Sequence, residues 1–139
     1  MSSKGEEENQ QTYDVFVAWG NLDVPKLFAN SHISQRLLKG YDQTIKQAVS
    51  LARYQQDPMN EILNLWSFVI QENQALNLNL HPLQKMVNQA KLQDALEDSN
   101  VACVCAVGID INLLINHDHM HILLSFVSGL GPRKAKQLI

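Results

Sequence analysis

The residues best suited to chemistry in this sequence are Gly129 and Gly131, flanking Leu130, followed by Pro132, Arg133, Lys134 and Lys136. Glycine enters backbone conformations that a Cβ forbids, so the Gly-Leu-Gly unit can reverse the chain while Leu130 turns inward as a wedge. Pro132 suits the first position of a helix, where its missing N–H costs nothing. A helix starting there presents free N–H groups and the positive end of its dipole, and Arg133, Lys134 and Lys136 add charge at the same end. The chemistry on offer is the docking of a phosphate. Leu124 and Val127 precede the first glycine at helical spacing, and Ala135 and Leu138 follow the second, so these side chains are expected to close a small core. The unit reads as a helix-hairpin-helix motif, a device for holding the DNA backbone without reading its sequence. The alternative is a tight turn between two packed helices with a solvated basic end.

Other residue types are less pointed. His117, His119 and His121, with Asp118 among them, have a spacing that can share a zinc ion on a helix or a strand. The plainer expectation is a polar connection between two helices, and no metal is assigned. Cys103 and Cys105 are too close in sequence to staple a fold and are expected as small buried apolar residues on different sides of a helix. A two-metal nuclease needs several carboxylates converging on its ions. Asp14 falls on the one expected strand, while Asp42, Asp94 and Asp110 are scattered over helices, where capping and solvation are the expected roles. Neither catalysis nor a cofactor is expected.

Composition bounds the partners. The chain has 139 residues, 45% apolar and 18% charged, which is one globular domain's worth of sequence. A net charge of -3 gives no general attraction to nucleic acid, so any phosphate binding must be local to the basic cluster at 133–136. The two cysteines and the absence of a basic, then apolar, leader point to a reducing intracellular compartment. No apolar run reaches the roughly eighteen residues of a membrane span. The best stretch, 101–115, is interrupted by Gly108, Asp110 and Asn112.

The elements that must position these residues are mostly helical. Residues 1–12 are polar and acidic, and read as a disordered leader. Residues 13–19 (YDVFVAW) have the aromatic and β-branched content of a strand buried in a layered sheet, ended by Gly20 and Asn21. Asn21 or Asp23 then caps a helix over 25–30, and 31–41 is irregular by composition. Asp42 caps an amphipathic helix with Ile45, Ala48, Val49 and Ala52 on one stripe. Asp57 and Pro58 start another, carrying Ile62, Leu63, Leu65 and Trp66. A surface loop is expected at 71–74 and a short extended piece at 76–80. His81 and Pro82 open a helix with Leu83, Met86 and Val87 on one face that continues through Leu92, Ala95 and Leu96. Residues 101–114 suit a strand or a helix, and helix is the choice. Within them Val107, Ile109 and Ile111 are apolar, Gly108 would allow close helix approach, and Asp110 and Asn112 would cap or brace a neighbouring helix.

Several stretches taken together carry a resemblance: VFVAWGNLDVPKLFANS at 15–31, QAVSLARYQQDP at 47–58, HPLQ at 81–84, VGIDIN at 107–112 and FVSGLGPRKA at 126–135. In order and spacing the chain resembles the Tex-like transcription factors, most of all the eukaryotic elongation factor and histone chaperone of the suppressor-of-Ty-six type. The resemblance implies a mainly α fold. Residues 13–80 would be the C-terminal part of a YqgF domain, leaving one residual strand-helix unit of a ribonuclease-H-like sheet. Residues 81–121 would be a helical connection, and 122–139 the first half of a helix-hairpin-helix domain. It implies a nuclear, non-catalytic factor that binds DNA weakly and without sequence preference through Gly129, Leu130, Gly131, Arg133, Lys134 and Lys136. Histones or nucleosomes and RNA polymerase II would be its other partners, with no membrane and no small-molecule substrate. Val107, Gly108, Asp110, Asn112 and Ala135 would be structural. The earlier strands, the OB-type domain and the tandem SH2 domains of such factors are not in this sequence, so the chain is expected to be a fragment with 13–19 unpaired or nearly so. Residues 68–74 are slightly longer than the family pattern and are expected in a loop.

Overall fold

Local side-chain acceptors start most of the helices in the computed structural model, which describes residues 15–66, 68 and 73–139. Helix α1 (Asp23–Asn30) follows Asn21, whose Oδ1 accepts from the Asp23 N–H at 2.7 Å. Ser31 Oγ accepts from the Ser34 N–H at 3.1 Å and starts α2 (His32–Leu37). Asp42 starts α3 (Gln43–Gln56) by accepting from Thr44 at 3.2 Å, and the bond holds its carboxyl below the usual carboxylate range. Asp57 accepts from Asn60 at 3.1 Å at the head of α4 (Pro58–Leu63). Asn88 heads α5 (Gln89–Val107), Asp110 heads α6 (Ile111–Asn116), and α7 (Gly131–Leu138) carries Pro132 in its first turn. Each such acceptor satisfies an N–H that the helix itself leaves free, a contribution of about 1 kcal/mol. Three 3-10 stretches, Gln74–Asn77, Pro82–Met86 and Asp118–Phe126, link them.

The core forms where α1, the end of α4 and the Asp118–Phe126 stretch meet. Val24, Phe28, Leu63, Leu65, Trp66, Val104, Leu123 and Phe126 are buried together. Phe126 stands edge-on to Trp66 with ring centroids 6.0 Å apart and planes at 82°, and meets Phe68 at 5.2 Å. Burying each such side chain contributes about 1.5–3 kcal/mol over leaving it in water. Helix α1 packs on α3 and α3 on α4, while the Asp118–Phe126 stretch touches α4, α5, α6 and α7. This stretch therefore sets where the hairpin sits. Among the described residues no helix is long and apolar enough to cross a membrane.

The mainly α fold agrees with the sequence reading; the strand-helix unit does not. Residues 15–19 have no strand structure, and Val15, Phe16, Val17 and Trp19 are exposed. A strand's N–H and C=O groups need partners from neighbouring strands. Among the described residues the only bridge is the isolated pair Trp66 and Asn73. Tyr13, Asp14, the expected leader at 1–12 and most of the expected loop at 68–74 lie outside the described residues. At the end of that loop Gln74 is tied down, its N–H donating to the Leu65 carbonyl at 3.1 Å.

Other expectations shift by an element. Residues 31–41 contain α2, which a single serine starts and which is too short to show a periodic stripe. In α3 the stripe of Ile45, Ala48 and Ala52 faces solvent, with Val49 half-buried, and the buried side carries Ser50. The reason is a polar contact: Ser50 Oγ donates to Glu61 Oε1 on α4, and both residues are 0% exposed. The helix expected from 81 onward is broken at Val87, whose ψ of 143° is extended, so Leu83, Met86 and Val87 stay exposed. Residues 101–114 are helical but split into α5 and α6 at Gly108, which has φ of +83°.

Candidate nucleic-acid interface

The hairpin has the backbone its glycines foretold. Gly129 and Gly131 take φ of +81° and +64°, in the left-handed region that glycine enters freely. A Cβ at either would meet nothing within 4 Å, so conformation and not crowding selects glycine. The Leu130 N–H donates to the Val127 carbonyl at 3.0 Å and closes the turn. The N–H groups of Gly129, Gly131 and Arg133 have no protein acceptor among the described residues. Three unpaired donors thus cluster at the start of α7. Arg133, Lys134 and Lys136 are exposed beside them, and no Asp or Glu occurs from 119 to 139. Unpaired N–H groups and cations are what an anion-binding surface requires, while Asp118 lines the same groove as Lys136.

The flanking residues divide. Ala135 is buried and holds α7 against the Asp118–Phe126 stretch; Leu124, Val127 and Leu130 are half-buried. Leu138 is 66% exposed and closes no core, a departure from the sequence expectation. The element before the turn is 3-10, not α-helical. Lys134 does not simply point into solvent: its Nζ donates to the Gly129 carbonyl at 3.0 Å. A second link came with no sequence signal, since its ends lie 23 residues apart: the Ser128 N–H approaches Cys105 Sγ at 3.4 Å, joining the turn to α5. Both Cys103 and Cys105 are exposed, contrary to the expected burial.

The VGIDIN residues hold local geometry. Asp110 accepts from Asn112 at 2.8 Å and Leu113 at 3.4 Å, so it caps α6 itself. Gly108 is needed for its φ and not for close helix approach, because a Cβ there would meet nothing within 4 Å. Ile109 packs on the core, whereas Val107 and Ile111 are exposed. Asn112 braces no neighbouring helix: its side chain is exposed, and its carbonyl accepts from Asn116 Nδ2 at 2.8 Å.

The histidines fall at the start of the Asp118–Phe126 stretch. The His117 and His119 rings are 5.5 Å apart, and among the described residues no group of three or more His, Cys, Asp or Glu could hold a metal ion. His119 is pushed down to about 4, first by burial and then by the nearby Arg53 and His117 charges. His121 instead lines a groove of about 260 Å³ between α2 and α7, walled by Ile33, Leu37, Trp66 and Pro132.

Comparison with known proteins accounts for this arrangement. A family model described as the helix-hairpin-helix motif matches residues 73–139. "Transcription elongation factor SPT6" of Candida albicans is 32% identical over 139 residues, which is 100% of this chain and 10% of that protein. The chain is homologous to the SPT6 transcription elongation factors. SPT6 of Drosophila melanogaster is 36% identical over 117 residues, 84% of this chain and 6% of its own length. "Suppressor of Ty 6 homolog" of Caenorhabditis briggsae is 37% identical over 117 residues, covering 84% of this chain and 8% of that protein. The chain thus spans a tenth or less of these SPT6 relatives, and the suppressor-of-Ty-six resemblance read from the sequence extends over all of it.

Proposed function

We propose that the chain is a nucleic-acid-contacting segment of a nuclear transcription elongation factor, holding DNA phosphates weakly and without sequence preference. The observation that carries this reading is that the free N–H groups of Gly129, Gly131 and Arg133 and the exposed Arg133 and Lys136 side chains share one short turn-helix unit, in a stretch with no Asp or Glu of its own. The role is non-catalytic. Asp42, Asp57 and Asp110 are each engaged in capping a helix, so they do not gather as a nuclease site requires. The resemblance supports the division into a C-terminal YqgF part at 13–80, a connection at 81–121 and a first hairpin half at 122–139. It also supports histones and RNA polymerase II as partners of the whole factor.

The test is the salt dependence of binding of the full chain to a random-sequence DNA duplex. Each neutralised phosphate steepens the logarithmic salt slope by about 0.9. Reversing Arg133 and Lys136 to glutamate should abolish binding, whereas reversing Lys4 and Lys26 should leave it nearly intact. Equal loss in both pairs would mean that net charge, not the hairpin, attracts DNA. A second reading has its own observation: Ile111, Leu113 and Ile115 of α6 are exposed, as suits a scaffold that binds protein. Undiminished DNA binding after reversal of Arg133 and Lys136 would favour that reading.

A further inference from the structure

Within the DNA-binding reading, on which this inference rests, we infer that Lys134 is a positioning residue that acts through the Gly129 carbonyl and is not itself a phosphate contact. The peptide between Gly129 and Leu130 is trans, so its C=O and N–H point in opposite directions. Its N–H is turned inward to the Val127 carbonyl at 3.0 Å. Its C=O therefore faces outward, on the same turn that carries the unpaired N–H groups of Gly129 and Gly131. An uncovered carbonyl there would set a negative dipole end against an arriving phosphate. The Lys134 ammonium lies 3.0 Å from that oxygen and covers it.

The placement is otherwise hard to account for. A cation in the first turn of a helix sits at the unfavourable end of the dipole, and Lys134 has no carboxylate near it in sequence to offset this. Bonding back across five residues gives the charge an acceptor and ties α7 to the turn that precedes it. It leaves Arg133 and Lys136, which have no such bond among the described residues, as the mobile cations that meet phosphate.

Two measurements on the full chain test this. In salt titrations with a random-sequence duplex, Arg133→Gln should lower the slope by about 0.9, the value for one lost phosphate contact. Lys134→Met, which has no donor, should weaken binding about tenfold, the scale of one charge-assisted hydrogen bond, while leaving the slope as in the unsubstituted chain. Lys134→Arg, which can still donate to the carbonyl, should restore most of the affinity. A slope loss for Lys134→Met equal to that of Arg133→Gln would make Lys134 a phosphate contact and overturn the inference, as would no loss of affinity at all. The second measurement needs no DNA: a scalar coupling between Lys134 Nζ and the Gly129 carbonyl carbon, read by NMR. Its absence overturns the inference; its presence in a chain that binds no DNA would show that the DNA reading had failed and the contact had not.

Discussion

Glu61 and His119 illustrate how single residues acquire unusual properties from their neighbours. Glu61 is fully buried, accepts from Ser50 through Oε1, and has no partner at Oε2; Arg53 Nη1 and Asn60 Oδ1 are likewise buried and unpaired among the described residues. Burial raises the Glu61 carboxyl above its ordinary value, against the opposing pull of Ser50, Arg53 and Asn64. The folded chain therefore holds that proton more tightly than the unfolded one, so this group's stabilisation is present at low pH and is lost as pH rises above 4.5. Glu61→Gln should gain stability over the unsubstituted chain as pH is raised from 4 to 7. His119 works in the opposite sense. Its folded value of about 4 lies below the ordinary 6.5, so its contribution is present above 6.5 and lost as pH falls toward 4. His119→Gln should flatten the acid side of the curve. Urea denaturation of both variants at pH 4, 5.5 and 7 checks the two signs, and parallel curves for all three proteins would refute both. None of this was legible in the sequence, because it arises where α3, α4 and the Asp118–Phe126 stretch meet.

At the scale of elements, what the sequence disclosed was what a few adjacent residues decide. Asp42 and Asp57 start the helices that follow them, and the Gly-Leu-Gly turn has the backbone its spacing implied, whereas Asp110 caps α6 at a break the reading did not contain. Helix α2 was missed because its only marker is Ser31, and the break at Val87 because nothing in 81–96 interrupts the apolar period. The buried face of α3 was misjudged because it is set by Glu61, eleven residues beyond Ser50. Two substitutions test the local devices. Ser31→Ala should cost about 1 kcal/mol, the value of an N-cap hydroxyl. Gly129→Ala should cost about 1–2 kcal/mol, since an alanine is strained in the left-handed region although it would touch nothing. Chemical denaturation measures both. A neutral Gly129→Ala would mean that the turn relaxes to another conformation.

For the whole molecule, the phosphate-binding reading required a local positive field on a chain of net charge -3, and the run without carboxylates from 119 to 139 supplies it. The backbone of the turn was legible in the sequence because the motif is continuous. At residues 15–19 the expected lack of pairing agrees with the structure, whereas the strand itself does not form, because a strand needs neighbouring backbone and none pairs with it among the described residues. That segment has a further consequence for handling the protein. Val15, Phe16, Val17, Ala18 and Trp19 are exposed in succession, with no proline and no charge among them. Such a run is a template for stacking onto its own copies, in register, as the seed of a cross-β fibril. Thioflavin T fluorescence should rise with a lag that shortens as the concentration of the isolated chain increases. Val17→Lys should lengthen that lag without altering the thermal midpoint, because the side chain it replaces is 97% exposed. An unchanged lag would place the seed elsewhere. In kinetic terms the arm then sets the shelf life of the isolated protein, while the helices set its equilibrium stability.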